Sequence, residues 1–201
     1  TSHLNMAAKE ITGIYVALIT PFKNHTAEID FDALHEHINR LVDAGVHGLV
    51  PGGSTGEFTA LSLDERKQLL EAVITSANGR AGVMAGIGDL STSKTVELAK
   101  HAAESGASSL MVVPPFYDAP NLEELKEHLS EIHKASGLPI AYYNIPSATG
   151  VSLTPTEIAS LSEVGVKYLK DTSGNAPAFT DLLFNDEISS KVTAFNGWDT
   201  L

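Results

Sequence analysis

The sequence predicts an α/β fold of parallel strands wound into a (β/α)8 barrel, and three observations carry the prediction. Seven apolar, β-branched-rich runs alternate with helical patterns, their starts about 30 residues apart, roughly the length of one strand–helix unit. The runs are nearly continuous in apolar residues, as strands covered on both faces are. The unusual residues gather where those runs end, and a barrel places its chemistry at the C-terminal ends of its strands. An open doubly wound sheet fits the alternation too, but it usually carries G-x-G-x-x-G after its first strand. Here that loop reads TPFKNHTAEID.

The first run starts near Ile14 (IYVALIT) and leads into a helix over 31–44. There Leu34, Ile38, Leu41 and Val42 recur at helical spacing, Asp30 is the N-cap and Gly45 the stop. The second, near Val46 (VHGLV), ends in the loop 52–57 and feeds a helix over 63–77, which Ser62 and Glu65 open as a capping box. The third, near Gly82 (GVMAGI), ends in Gly86-Ile87-Gly88 and precedes a helix over 93–105 stopped by Gly106. The fourth, near Ser108 (SSLMVV), ends at 114–117; its helix, 122–135, starts at Asn121 and stops at Gly137. The fifth, near Leu138 (LPIAYYNI), ends at 143–146 and precedes a helix over 156–162 stopped by Gly165. The sixth, near Val166 (VKYLK), ends at 170–174 before a helix over 178–184, and the seventh, near Val192 (VTAF), ends at 196–199.

Composition narrows the function classes. The chain of 201 residues suffices for one domain with a real core, and its 43% hydrophobic and 19% charged residues exclude disordered and fibrous classes. Thirteen Lys+Arg stand against twenty-five Asp+Glu, a net charge of -12, and the basic residues are scattered, Arg66-Lys67 being the one adjacent pair. Neither nucleic acid nor an anionic membrane surface is therefore an expected partner. No apolar run reaches the roughly 18–20 residues of a membrane span. With no cysteine there are no disulfides, zinc ribbons, iron–sulfur clusters or thiol nucleophiles. A cytoplasmic location is expected, although a secreted chain can also lack cysteine. Residues 1–5, ahead of Met6, carry no signal-peptide region and read as an expression remnant; the barrel domain is expected over 11–201.

Lys170 ends the sixth run. Strict alternation places Val166, Tyr168 and Lys170 on one face and Lys167 on the other. If that face looks into a barrel, desolvation disfavours the ammonium. A lysine at its ordinary pKa of about 10.4 is only of order 0.1% neutral near pH 7, so lowering it by about 2–3 units exposes a nucleophilic amine for a ketone. A strand-end lysine reaching out to solvent accounts for the same spacing. Tyr142 and Tyr143 close the preceding run; one must face inward, where its phenol can pass protons or simply line a wall, and alternation does not choose between them.

Gly52-Gly53-Ser54-Thr55-Gly56-Glu57 can turn backbone N–H groups and two hydroxyls towards a carboxylate or phosphate, or can be a plain glycine-rich loop. It also matches G-x-S-x-G with Ser54 as nucleophile, but the next helix starts only near Leu63, far from a nucleophile elbow. No G-K-[ST] follows, so it is not a Walker loop. The eight histidines form no ligand set: His35 and His37 point to different helix faces, and His128 and His133 are five apart. No metal site is expected.

Three co-linear motifs, Gly-Gly-Ser-Thr-Gly-Glu at 52–57, Tyr-Asn-Ile-Pro at 143–146 and Lys-Asp-Thr-Ser-Gly-Asn at 170–175, resemble the dihydrodipicolinate synthase / N-acetylneuraminate lyase family. The resemblance runs from Ile11 to Leu201. It implies a (β/α)8 barrel whose sixth-strand lysine, Lys170, forms a Schiff base with pyruvate. It implies Tyr143 rather than Tyr142 as proton relay, with Ser54 aligning it, and Ser54 and Thr55 as holders of the pyruvate carboxylate. Gly53, Thr172 and Gly197 are implied in the substrate pocket, and Tyr117 as a tyrosine reaching into a neighbouring subunit's site, hence a homo-oligomer, a dimer or tetramer. The implied activity is a lyase or synthase that makes or cleaves an aldol bond between pyruvate and an aldehyde, with no cofactor beyond the covalent imine. A lyase of N-acetylneuraminate or an aldolase of 2-keto-3-deoxy sugar acids is the alternative within the family; a non-catalytic pyruvate-binding barrel, or a serine hydrolase acting through Ser54, lies outside it.

The departures bear on the substrate. Synthases of this family carry an arginine two residues after the Tyr-Asn-x-Pro proline, which grips the second substrate's carboxylate; here that residue is Ala148. Ser54, where synthases usually have threonine, leans towards the lyases, yet Thr200 stands where lyases tend to place an acidic residue. Length is the last expectation. Seven strands fall short of a barrel that typically takes about 250 residues, so the sequence reads as a fragment, or as a barrel completed by a partner.

Overall fold

The computed structural model describes residues 11–198; the remnant expected at 1–5, and Asp199 and Thr200, lie outside the described residues. The strands are β1 (Tyr15–Ala17), β2 (Gly48–Val50), β3 (Gly82–Gly86), β4 (Ser109–Val112), β5 (Ile140–Asn144), β6 (Val166–Asp171) and β7 (Thr193–Asn196). They form one parallel sheet in sequence order. The helices are α1 (Phe31–Asp43), α2 (Leu63–Ala77), α3 (Thr92–Ser105), α4 (Leu122–Ser136), α5 (Pro146–Thr149), α6 (Pro155–Ser160), α7 (Ala176–Phe184) and α8 (Asp186–Ser189).

The sheet is curled. Six strand spacings of roughly 4.8 Å would hold the outer strands of a flat sheet about 29 Å apart. Yet Tyr15 on β1 and Phe195 on β7 meet edge to face with ring centroids 6.1 Å apart. Only a sheet rolled about its strand axis brings those rings together, so the doubly wound alternative falls and the seven strands belong to a (β/α)8 barrel.

Two apolar layers follow from that curvature. Leu49, Leu110, Ile140, Tyr142 and Leu169 face outward and pack on Leu34, Leu69, Val73, Leu98 and Leu129 of the helices. Each fully buried leucine there contributes roughly 1.5–3 kcal/mol. The interior holds Val50, Met84, Met111, Ala141, Tyr143 and Tyr168, with Ile11 beneath them donating its N–H to Tyr168 Oη at 3.2 Å.

The helix signals act as the sequence predicts. Asp30 accepts from the Ala33 N–H, and Ser62 with Glu65 closes the capping box. Asn121 caps α4, and Gly106 and Gly137 end α3 and α4 at φ 96° and 68°. The four-residue α5 and α8 are not foreseen, since segments so short show no periodic stripe. The helix expected over 156–162 is α6 followed by a 3-10 turn at Leu161–Val164. One expectation is corrected. Val166 does not share the face of Tyr168 and Lys170: Ile140 opposes Val166 but Ala141 opposes Tyr168, so Lys167 is an extra, exposed residue in β6. That bulge flips the face, and Val166 packs outward with the helices.

Candidate active site

Lys170 stands one residue before the end of β6, directly opposite Tyr143 on β5. Its ammonium lies over the Tyr143 ring, with Nζ 4.1 Å from the centroid, a distance at which a cation is attracted to the π face. The side chain enters an interior cavity of about 380 Å³ that Tyr15, Val50, Met84, Met111 and Phe195 also line. Among the described residues on that wall, Lys170 is the only charged one. Gly197 backs onto it. A Cβ there would lie 3.3 Å from Lys170 Cε and 2.5 Å from Thr172 Cγ2, so glycine is what lets the β7 loop press against the lysine.

The two adjacent tyrosines are separated by their faces. Tyr143 belongs to the inner cluster, whereas Tyr142 is fully buried among the outward-facing side chains. The Tyr142 hydroxyl has no partner among the described residues, and burial pushes its ionisation well above the ordinary phenol range.

The loop 52–57 folds back on itself, the Gly56 N–H donating to the Gly53 carbonyl at 3.0 Å and the Glu57 N–H to that of Ser54 at 3.1 Å. Thr20 Oγ1 donates to the Gly56 carbonyl at 2.8 Å and ties the loop to the end of the first strand's segment. Ser54 and Thr55 stay exposed at its tip. Gly53 and Ser54 share the lining of one small cavity with Tyr143, and no hydrogen bond joins the Ser54 and Tyr143 hydroxyls. Because α2 begins only at Leu63, Ser54 is not on a strand-to-helix elbow.

The ends of β5 and β6 are stitched by a set of residues whose contacts the sequence reading did not single out. Buried Asn144 donates through Nδ2 to Asp171 Oδ1 at 2.6 Å, and Ser173 Oγ donates to Asp171 Oδ2 at 2.9 Å. Thr172 donates to the Asn144 carbonyl through both its N–H, at 2.9 Å, and its Oγ1, at 3.0 Å. Asn144 and Asp171 each follow a candidate residue inside the motifs at 143–146 and 170–175, which was the available signal. Period-2 alternation turns both away from the lysine's face.

Around the mouth, Tyr117 is 85% exposed. Ala148, on α5, lines a second cavity of about 270 Å³ with Ser54, Phe58, Val113, Phe116 and Ile145, a lining without a charged side chain among the described residues. No group of three metal-ligating side chains occurs among the described residues.

Comparison with known proteins places this arrangement. A model of the dihydrodipicolinate synthetase family matches residues 10–201. The chain belongs to that family. The 4-hydroxy-tetrahydrodipicolinate synthase of Methanocaldococcus jannaschii is 38% identical over 191 residues, covering 94% of this chain and 64% of the relative. Among solved structures, the dihydrodipicolinate synthase of Acinetobacter baumannii, in complex with pyruvate, superposes with a TM-score of 0.88 at 32% identity, over 94% of this chain and 64% of that one. CdNal of Clostridium difficile, in complex with mannosamine, gives 0.88 at 28% identity over 94% and 65%. The chain thus spans a little under two thirds of the length of these relatives.

Proposed function

We propose that this chain carries the catalytic centre of a lyase or synthase that binds pyruvate as a Schiff base on Lys170 and makes or cleaves an aldol carbon–carbon bond, in the manner of 4-hydroxy-tetrahydrodipicolinate synthase. One observation carries the reading: Lys170 is the sole charged side chain on the described wall of an apolar barrel cavity, its Nζ over the ring of Tyr143.

The Lys170 amine adds to the keto carbon, and the resulting carbinolamine loses water to give a protonated imine. That iminium accepts the electron pair left when the methyl group loses a proton, giving an enamine. The enamine carbon attacks an aldehyde, the new alkoxide takes up a proton, and water releases the product and regenerates the lysine. Cleavage is the same sequence reversed. Tyr143 carries the protons, and the hydroxyls and N–H groups of the exposed residues Ser54 and Thr55 hold the carboxylate, with Gly53 leaving room beside them. Thr172 shapes the pocket through the strand-end bonds it makes, and Gly197 by its approach to the lysine. The reaction so written asks for no metal and no cofactor. Tyr117, exposed at the mouth, is assigned to a neighbouring subunit's site in a homo-oligomer, in the cytoplasm.

The second reading, an N-acetylneuraminate lyase or a 2-keto-3-deoxy sugar acid aldolase, is favoured by the cavity beside Ala148, whose described lining offers no cation to grip a second carboxylate. Borohydride reduction in the presence of pyruvate is expected to leave a permanent mass on the peptide holding Lys170. Absence of that adduct on folded protein overturns the proposal, and thermal stabilisation by pyruvate without adduct or turnover would mark a binding barrel instead. Comparing aspartate semialdehyde with sugar aldehydes then separates the two acceptors.

A further inference from the structure

Arg66 is a buried charge that the proposed chemistry leaves unused. It rises from the first turns of α2, its side chain 3% exposed, and touches two loops at the catalytic end of the barrel. Its Nη2 donates to the Gly86 carbonyl at 3.2 Å and to the Gly88 carbonyl at 3.0 Å, and Nη1 stands 3.6 Å from Asp89 Oδ2. The guanidinium also covers the Phe58 ring, 5.1 Å from its centroid. Phe58 in turn meets Phe116 edge to face at 6.0 Å. Desolvation draws the guanidinium down to about 10, against the pull of Asp89, so it remains charged near neutrality.

Two partners of Arg66, Phe58 and Gly86, border the loop that presents Ser54 and Thr55. Phe58 follows that loop directly, and its N–H reaches back to the Gly53 carbonyl at 3.5 Å. Gly86 abuts its first residue: a Cβ on Gly52 would come within 2.8 Å of the Gly86 carbonyl oxygen. The guanidinium therefore holds the neighbouring loop through two carbonyls and the far end of the carboxylate loop through a ring face. A planar fork with several donors does both at once; an ammonium cannot. A buried ion pair is weak grounds for a purely stabilising role, since apolar packing commonly serves stability as well.

We propose that Arg66 is a positioning residue for the pyruvate carboxylate: by clamping Phe58 and the Gly86–Gly88 carbonyls it sets where Ser54 and Thr55 stand. The inference rests on the Schiff-base reading above. Its signature is a split between binding and chemistry, because Arg66 touches neither Lys170 nor Tyr143.

The test is the concentration dependence of borohydride trapping by pyruvate in the full chain. Arg66→Met is expected to raise the half-saturating pyruvate about ten-fold, as misplaced binding groups do, while the adduct at saturation still reaches wild-type stoichiometry. Arg66→Lys, which keeps the charge but not the fork, is expected to recover only part of the loss. Unchanged half-saturation in folded Arg66→Met overturns the proposal, as does a loss of adduct at saturation in the folded variant. Should Arg66→Met fail to fold, Phe58→Leu decides, since it removes the stacked face and leaves the buried charge bonded: the same rise supports the clamp, and no rise overturns it. A wild-type chain that gives no adduct at all overturns both readings, which separates the failure of the clamp from the failure of the chemistry.

Discussion

At the scale of single residues, the pair Tyr142-Tyr143 shows how one step along a strand separates two roles. Tyr143 faces the lysine; Tyr142 points into the packing between sheet and helices with its hydroxyl unpartnered among the described residues. Tyr143→Phe is expected to slow turnover about 10²–10⁴-fold, the range of a lost proton relay, while pyruvate still traps on Lys170. Tyr142→Phe is expected to leave turnover within about twofold and to raise the thermal midpoint, because removing a buried hydroxyl without a partner relieves on the order of 1 kcal/mol. Kinetics and melting of the two variants side by side check both; a Tyr142→Phe that loses activity would exchange the roles. The three motifs were legible as motifs, but the choice between the tyrosines needed either the family resemblance or the strand's face. Asn144 and Asp171 were passed over because they point away from the chemistry and act through the strand ends.

At the scale of elements, helix starts were the most legible features, since a cap is a local bond between side chain and nearby backbone. Strand faces were less so: the extra residue at Lys167 breaks the alternation on which they depend. The contact of α3 with α4 has a consequence of its own. His128 on α4 bonds Thr92 Oγ1 at 2.9 Å through Nδ1, its Nε2 is buried without a partner among the described residues, and burial lowers its pKa below 6.5. The unfolded chain thus binds a proton that the folded chain resists, so the contribution is fully present above about pH 6.5 and is lost as pH falls through the folded value. Thermal midpoints taken between about pH 7.5 and 5.5 are expected to fall in the wild type and to fall less in His128→Gln. Equal slopes would remove His128 from the account.

At the scale of the whole molecule, Tyr15 and Phe195 in contact across the interior are the mark of the rolled sheet that the barrel prediction calls for. The assembly belongs to this scale too. With Tyr117 85% exposed at the mouth, light scattering is expected to give a mass two or four times that of the chain. Tyr117→Phe is expected to lower turnover by about 10²-fold with that mass unchanged. A monomer with full turnover would leave Tyr117 without the proposed role.

The sequence alone determined the order of the strands and of the longer helices between them, the caps that start and stop those helices, and the motifs at the strand ends. These depend on hydrophobic period, cap chemistry and residue type, all local properties of the chain. Only the tertiary structure decided which strand ends meet across the interior, that Lys170 lies over the Tyr143 ring in an apolar cavity, that Val166 faces outward, and that Arg66 joins the loops around Ser54. Those facts depend on register and curvature, where a single inserted residue exchanges the inside of the barrel for the outside.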